Sequence, residues 1–177
     1  MFNKVGIDYQ MLLRAAQRSI KMGALRQSLM KGQRNIVGFL GEEIYQACCP
    51  LAEHRDTFDY DFLLRGQRID IKTRRFSTNP YSNFDFAVPI TKDAYEVDFY
   101  VFCGVHSDLT YGWLLGFLSK AEFFKLSILK EAGTAMARNG NYATDNRVIR
   151  LSKLRQNHVP QSACREHEPS STHPPPL

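Results

Sequence analysis

From Phe58 to Lys72 the chain reads FDYDFLLRGQRIDIK, and this stretch holds the residues best suited to chemistry. In Ile69-Asp70-Ile71-Lys72, strand alternation sets Asp70 and Lys72 on one face and Ile69 and Ile71 on the other. A carboxylate and an ammonium then stand side by side on an element anchored by two isoleucines. Arg65-Gly66 is a compact turn signal, and a chain folded back there brings Asp61 toward Asp70. Two converging carboxylates suit a hard divalent cation, Mg²⁺ or Mn²⁺, which takes oxygen ligands and retains several waters. Such an ion lowers the pKa of a bound water and absorbs negative charge on a phosphate, and a lysine beside it orients the water. Those are the requirements of phosphodiester hydrolysis. Taken singly, the same residues have plainer readings. Asp70 and Lys72 form an ordinary same-face ion pair, and Asp61 is a turn residue, as Asp59 is read to be.

The elements that must position these residues follow from periodicity. Ile36, Val37, Leu40, Ile44 and Ala47 form an apolar stripe that predicts a helix from about Asn35 to Cys48, stopped by Pro50. Glu42 and Glu43 lie in its middle, so at least one acid sits near the buried side. Strands are predicted over 57–64, 67–73, 84–90, 98–105, 111–117 and 146–151, with a helix over 120–129 and a Gly- and Asn-rich loop over 133–145. Phe99, Tyr100, Phe102 and Trp113 fall in strong strand patterns and read as core rather than as base-stacking platforms. Upstream, residues 8–30 predict an amphipathic helix. Arg14, Arg18 and Lys21 share one of its faces, and Leu12, Ala16 and Ile20 lie along another.

Charge is unevenly distributed. The 177 residues carry a net +5, yet residues 1–34 hold seven Lys and Arg against one acid, Asp8, and the remainder is close to neutral. A basic segment of this kind suggests a polyanionic partner, or else a solvated helix face. Arg74 and Arg75, just beyond Lys72, are further candidates for phosphate contact. Cys48, Cys49, Cys103 and Cys164 have neither disulfide-framework nor zinc-site spacing, and reduced thiols are expected. The apolar runs are too short to span a bilayer. The first six residues lack the apolar stretch of a secretion signal. A soluble cytoplasmic protein is therefore expected. From Gln156 to Leu177 the composition turns to Pro, Ser, Thr and His, which predicts a disordered tail.

Asp61, eight residues, then Asp70-Ile71-Lys72 resembles the signature of the PD-(D/E)xK nuclease superfamily. Gly38-Phe39-Leu40-Gly41-Glu42 is similar to the glutamate-bearing first helix of many members. Tyr60 stands in place of the signature proline, and Asp70 where many members have glutamate. The resemblance spans roughly residues 35–120. It implies an α/β fold with a mixed central β-sheet flanked by helices, a restriction-endonuclease-like core. The basic N-terminal helix, residues 1–34, is then an addition to a catalytic domain over 35–155. Carried over residue by residue, Asp61, Asp70, the Ile71 carbonyl and Glu42 are expected metal ligands for Mg²⁺ or Mn²⁺, and Lys72 positions the attacking water. Arg14, Arg18, Lys21, Arg74 and Arg75 are the expected nucleic-acid contacts. DNA is the expected partner, cut by structure or by ends, and similarity to resolvase-like enzymes implies a homodimer. Two rivals stand beside this reading. One is a nuclease-like fold that binds nucleic acid without cutting it. The other is a protein-interaction subunit of a phage machine.

Overall fold

Arg65 and Gly66 both take positive φ, 49° and 79°, the combination that a two-residue hairpin turn demands if its twist is to match the flanking strands. Leu64 and Gln67 pair across it, joining β3 (Phe62–Leu64) to β4 (Gln67–Phe76). The hairpin belongs to a computed structural model that describes residues 2–22, 33–55, 57–136 and 140–156. Before it come β1 (Asn3–Gly6), α1 (Tyr9–Met22), α2 (Gln33–Cys48) and β2 (Glu53–His54). After it come β5 (Asp85–Pro89), β6 (Phe99–His106), β7 (Tyr111–Ser119), α3 (Lys120–Leu126), β8 (Ile128–Lys130) and β9 (Asn146–Arg150). The six-stranded sheet runs β1-β7-β6-β4-β3-β2, and a smaller sheet runs β5-β9-β8. β4 and β6 are parallel and the other pairs antiparallel, so the large sheet is mixed.

The chain is thus an α/β structure with a core on each side of β4. On one side Ile69 and Ile71 pack with Val101, Leu40 and Ile44 beneath α2. On the other, Phe76, Tyr100, Phe102 and Trp113 pack toward the small sheet and α3. Tyr100, Phe102 and Trp113 are buried, in keeping with a core role. Cys48, Cys49 and Cys103 are free thiols, the last two buried. Among the described residues, no helix is long and apolar enough to cross a membrane. The helix predicted over 8–30 is described only to Met22. The region beyond Gln156, with Cys164, lies outside the described residues.

Several boundaries differ from the sequence expectation, each for a local reason. The strand predicted from Thr57 begins only at Phe62, because the Thr57 hydroxyl bonds both the N–H and the carbonyl of Tyr60 and curls the chain. β4 runs past Thr73 to Phe76, since its parallel ladder with β6 continues to Phe76 and His106. The helix predicted over 120–129 stops at Leu126, and Ile128–Lys130 pairs with β9 instead. In α1 the buried residues are Met11 and Ala15, whereas Ile20, expected on the apolar face, is 79 % exposed. Ala47 on α2 is likewise exposed. The N-terminal segment also supplies β1, an edge strand of the main sheet that pairs with β7.

Gly41 fixes how closely α2 approaches β4. A Cβ there would fall 1.9 Å from Thr73 Oγ1 and 2.8 Å from Thr73 Cβ, so the helix backbone rests on the Thr73 side chain at a distance only glycine allows. Glu42, the next residue, is buried on the same helix. Gly41→Ala is expected to lower stability by about 1–3 kcal/mol through overpacking, read as a lower urea midpoint with unchanged m.

Candidate active site

The hairpin register pairs Phe62 with Ile69, and Asp61 is the residue just before that pair. Asp61 N–H donates to the Ile69 carbonyl at 2.9 Å. Its carboxylate in turn accepts the Ile71 N–H at 2.6 Å. β3 ends at Phe62, so the Asp61 side chain takes over where the backbone ladder stops, and a buried N–H is satisfied. Asp70 and Lys72 form an ion pair on the opposite face of β4 from Ile69 and Ile71. Asp70 is 6 % exposed, and its Oδ2 has no hydrogen-bond partner beyond that ion pair among the described residues. The Tyr100 ring lies 5.8 Å from Lys72 Nζ, beside Asp70 in the register with β6. Burial, then the charges of Asp70 and Asp93, push the Tyr100 hydroxyl up to about 12.

Glu42 is buried on α2 and Glu43 is more open. Glu42 Oε2 accepts from Arg18 Nη2 at 2.7 Å and lies 3.1 Å from His54 Nε2. Burial raises the Glu42 carboxyl above its ordinary value, and Arg18 and His54 only partly offset this. Asp61 stands well above the ordinary carboxylate range. Burial is the largest cause, followed by the charges of Glu42 and then Asp70, against the Ile71 N–H and Lys72. Asp61 therefore feels both other acids at once. The structure brings Asp61, Asp70 and Lys72 together around Ile71, with Glu42 within electrostatic reach.

Two buried carboxylates, Glu42 and Asp70, with the half-buried Asp61 that feels both, are a donor set that fits a hard divalent cation. As positioned they do not close round one. Among the described residues, no group of three His, Cys, Asp or Glu side chains is placed to hold a metal ion. Each acid instead has a protein partner: Arg18 and His54 for Glu42, the Ile71 N–H for Asp61, and Lys72 for Asp70.

The basic residues are placed with equal definition. Arg14 is bound to Glu43 by two N–H groups at 2.9 and 2.7 Å, so the basic face of α1 turns toward the acids of α2. Arg14, Arg18, Lys21, Glu42, Glu43 and His54 line an open cleft of about 530 Å³. Arg74 donates to the Asp85 carbonyl, and exposed Arg75 to the Ser107 carbonyl at 3.1 Å. Sequence reasoning missed His54. No spacing announces it, because it reaches Glu42 only through the return of β2 beside β3. No protein-family model matches this chain, and no curated protein matches it significantly.

Proposed function

We propose that this chain is a Mg²⁺- or Mn²⁺-dependent nuclease with a restriction-endonuclease-like core, hydrolysing DNA phosphodiester bonds at a structure or an end. One observation carries the reading. Asp61 is bonded to the Ile71 N–H between Asp70 and Lys72, which form a buried ion pair, and the charges of Glu42 and Asp70 both reach it. Asp61, Asp70, Glu42 and the Ile71 carbonyl would hold the ion. When bound, it supplies an acidic water and a counter-charge for the phosphate. Lys72, fixed on β4, orients that water by hydrogen bonding. The hydrophobic packing of Ile69 and Ile71 keeps the strand from moving under the site.

The basic cleft supplies affinity. Arg14 is 52 % exposed at its side chain, so its pair with Glu43 is a surface contact of little net energy and exchanges readily for a DNA phosphate. Arg14→Ala and Lys21→Ala are each expected to weaken DNA binding and to reduce the slope of log K against log salt by about 1. Unchanged slopes would make this face a solvated surface only.

The decisive assay incubates the chain with branched, nicked, linear and single-stranded substrates, with and without Mg²⁺ or Mn²⁺. Cutting of at least one substrate, only with metal, is expected. A non-catalytic nucleic-acid-binding module is the second reading, favoured by the protein partners that Glu42, Asp61 and Asp70 already have. Salt-sensitive binding that no metal alters, with every substrate intact, selects it over the nuclease.

A further inference from the structure

The turn before Asp61 holds an aromatic ring out in solvent. Phe58 is 82 % exposed, on the turn that the Thr57 hydroxyl closes onto Tyr60, and Asp61 follows three residues later. Its ring lies 5.1 Å from that of Tyr95 and is tilted from it by 49°, so the two meet at an angle rather than covering each other's faces. Lys92 Nζ stands 5.3 Å from the Phe58 ring centre and 4.0 Å from that of Tyr95, and it donates to the Tyr95 hydroxyl at 2.7 Å. The contacts continue beyond Tyr95. Lys120 Nζ donates to the Tyr95 carbonyl at 2.6 Å and stands 5.6 Å from the centre of the Phe124 ring. The Arg147 guanidinium lies over the same ring at 4.3 Å. Rings and cations thus alternate along one line of contacts, from Phe58 through Lys92, Tyr95, Lys120 and Phe124 to Arg147.

We propose that this line is a track for single-stranded DNA, with a base stacked on Phe58 and phosphates held by Lys92 and Lys120. This rests on the nuclease reading for where the strand leads, and on the track's own chemistry for its ligand. Interleaved aromatic and basic groups suit an unpaired strand, because every unstacked base offers a π face and every linkage a charge. A duplex keeps its base faces covered and would leave the Phe58 ring bare. The cations are open to phosphate. Asp93 is held by Arg147 at 2.9 Å, and Arg68 holds Asp98 and Glu96. Lys92 and Lys120 bond to Tyr95 rather than to a carboxylate.

Tyr100 joins the track to the candidate active site. It stands beside Asp70 in the register of β4 with β6, and its ring lies 4.9 Å from that of Phe123, the neighbour of Phe124. The charges of Asp70, Asp93 and Arg147 all act on its hydroxyl. The track and the candidate metal ligands therefore lie within electrostatic reach of one side chain.

The test uses the full chain, without metal, a labelled single strand of mixed sequence and the matching duplex, with binding read by fluorescence anisotropy. Phe58→Ala should weaken single-strand binding about tenfold, the usual scale of losing one stacked base, and leave duplex binding as in wild type. Phe58→Trp should keep single-strand binding, and its emission should be quenched as the strand binds, over a constant background from buried Trp113. Lys92→Ala should reduce the salt slope of single-strand binding by about 1. Phe58 is exposed, so its replacement tests contact rather than folding. No single-strand binding, Phe58→Ala behaving as wild type, an equal loss on the duplex, or an unquenched Phe58→Trp overturns the track. Parallel cleavage assays with Mg²⁺ separate the two ideas. Cutting by a wild type whose single-strand binding ignores Phe58 refutes the track alone. Phe58-dependent binding without cutting of any substrate supports the track and refutes the nuclease.

Discussion

Asp70→Asn and Lys72→Met should each reduce single-turnover cleavage by at least about 10²–10³-fold, yet combining them should restore most of the stability that either loses alone. The activity loss follows from position. Asp70 is an expected oxygen ligand and Lys72 the group that orients water, and losing one preorganised electrostatic contact in a dry site costs a factor of that size. The stability pattern follows from burial. The two side chains form an ion pair at 9 % and 18 % side-chain exposure. Removing one partner leaves the other charge unpaired, at a cost of roughly 3 kcal/mol, the low end for breaking a buried pair. Removing both leaves two neutral groups of similar shape, and such replacements are often neutral. Urea melts of the two single variants and the double variant measure this as a cycle. An active single variant would take the pair out of the chemistry. A double variant as unstable as the sum of the singles would show that the two charges do not stabilise one another.

How much of this was legible in the sequence depends on how local each cause is. The hairpin was legible because Arg65-Gly66 is a two-residue signal and Ile69-Asp70-Ile71-Lys72 alternates without a break. Those two facts alone bring Asp61 back toward Asp70, and the structure bonds it to the Ile71 N–H. Periodicity placed only one acid of two near the buried side of α2, the resemblance chose Glu42, and Glu42 is the more buried of the pair. β1 was not legible. Its residues, Asn3–Gly6, are nearly all exposed, and it exists only because β7 offers a free edge more than a hundred residues later. β8 was read as helix for the same kind of reason. Ile128–Lys130 is held as a strand by β9, not by its own pattern. The basic face of α1 was correctly seen as a face, but periodicity cannot say that Glu42 and Glu43 stand opposite it. The approach of His54 to Glu42 is likewise a product of chain return. Local chemistry was readable, and what lies across from it was not.

Asp61→Asn should make the protein inactive and, at neutral pH, more stable. In the fold the Asp61 carboxyl titrates well above its ordinary value of 3.8, through burial and the charges of Glu42 and Asp70. In the unfolded chain it titrates near that ordinary value. Below about pH 4 both states hold the proton and Asp61 costs nothing. As pH rises above that, the unfolded state releases its proton first, so the native state binds more protons and stability falls. The fall ends only when pH passes the raised native value, and above it the full penalty remains. Asparagine never ionises, and its carbonyl oxygen still accepts the Ile71 N–H. The variant's advantage should therefore be absent near pH 3.5, grow through the acidic range and reach about 1–2 kcal/mol at neutral pH, the usual gain from relieving a strained functional site. Glu42, raised in the same direction, leaves the variant some residual slope. Mn²⁺ should raise the melting temperature of the wild type by binding only its folded state, and raise that of Asp61→Asn much less. Melting curves from pH 3.5 to 8, with and without Mn²⁺, test both statements. A variant less stable than wild type at pH 8, with the same response to Mn²⁺, would reduce Asp61 to an acceptor that merely closes the end of β3. A more stable, inactive and metal-insensitive variant would mean that the fold tolerates this carboxylate for the sake of what it binds.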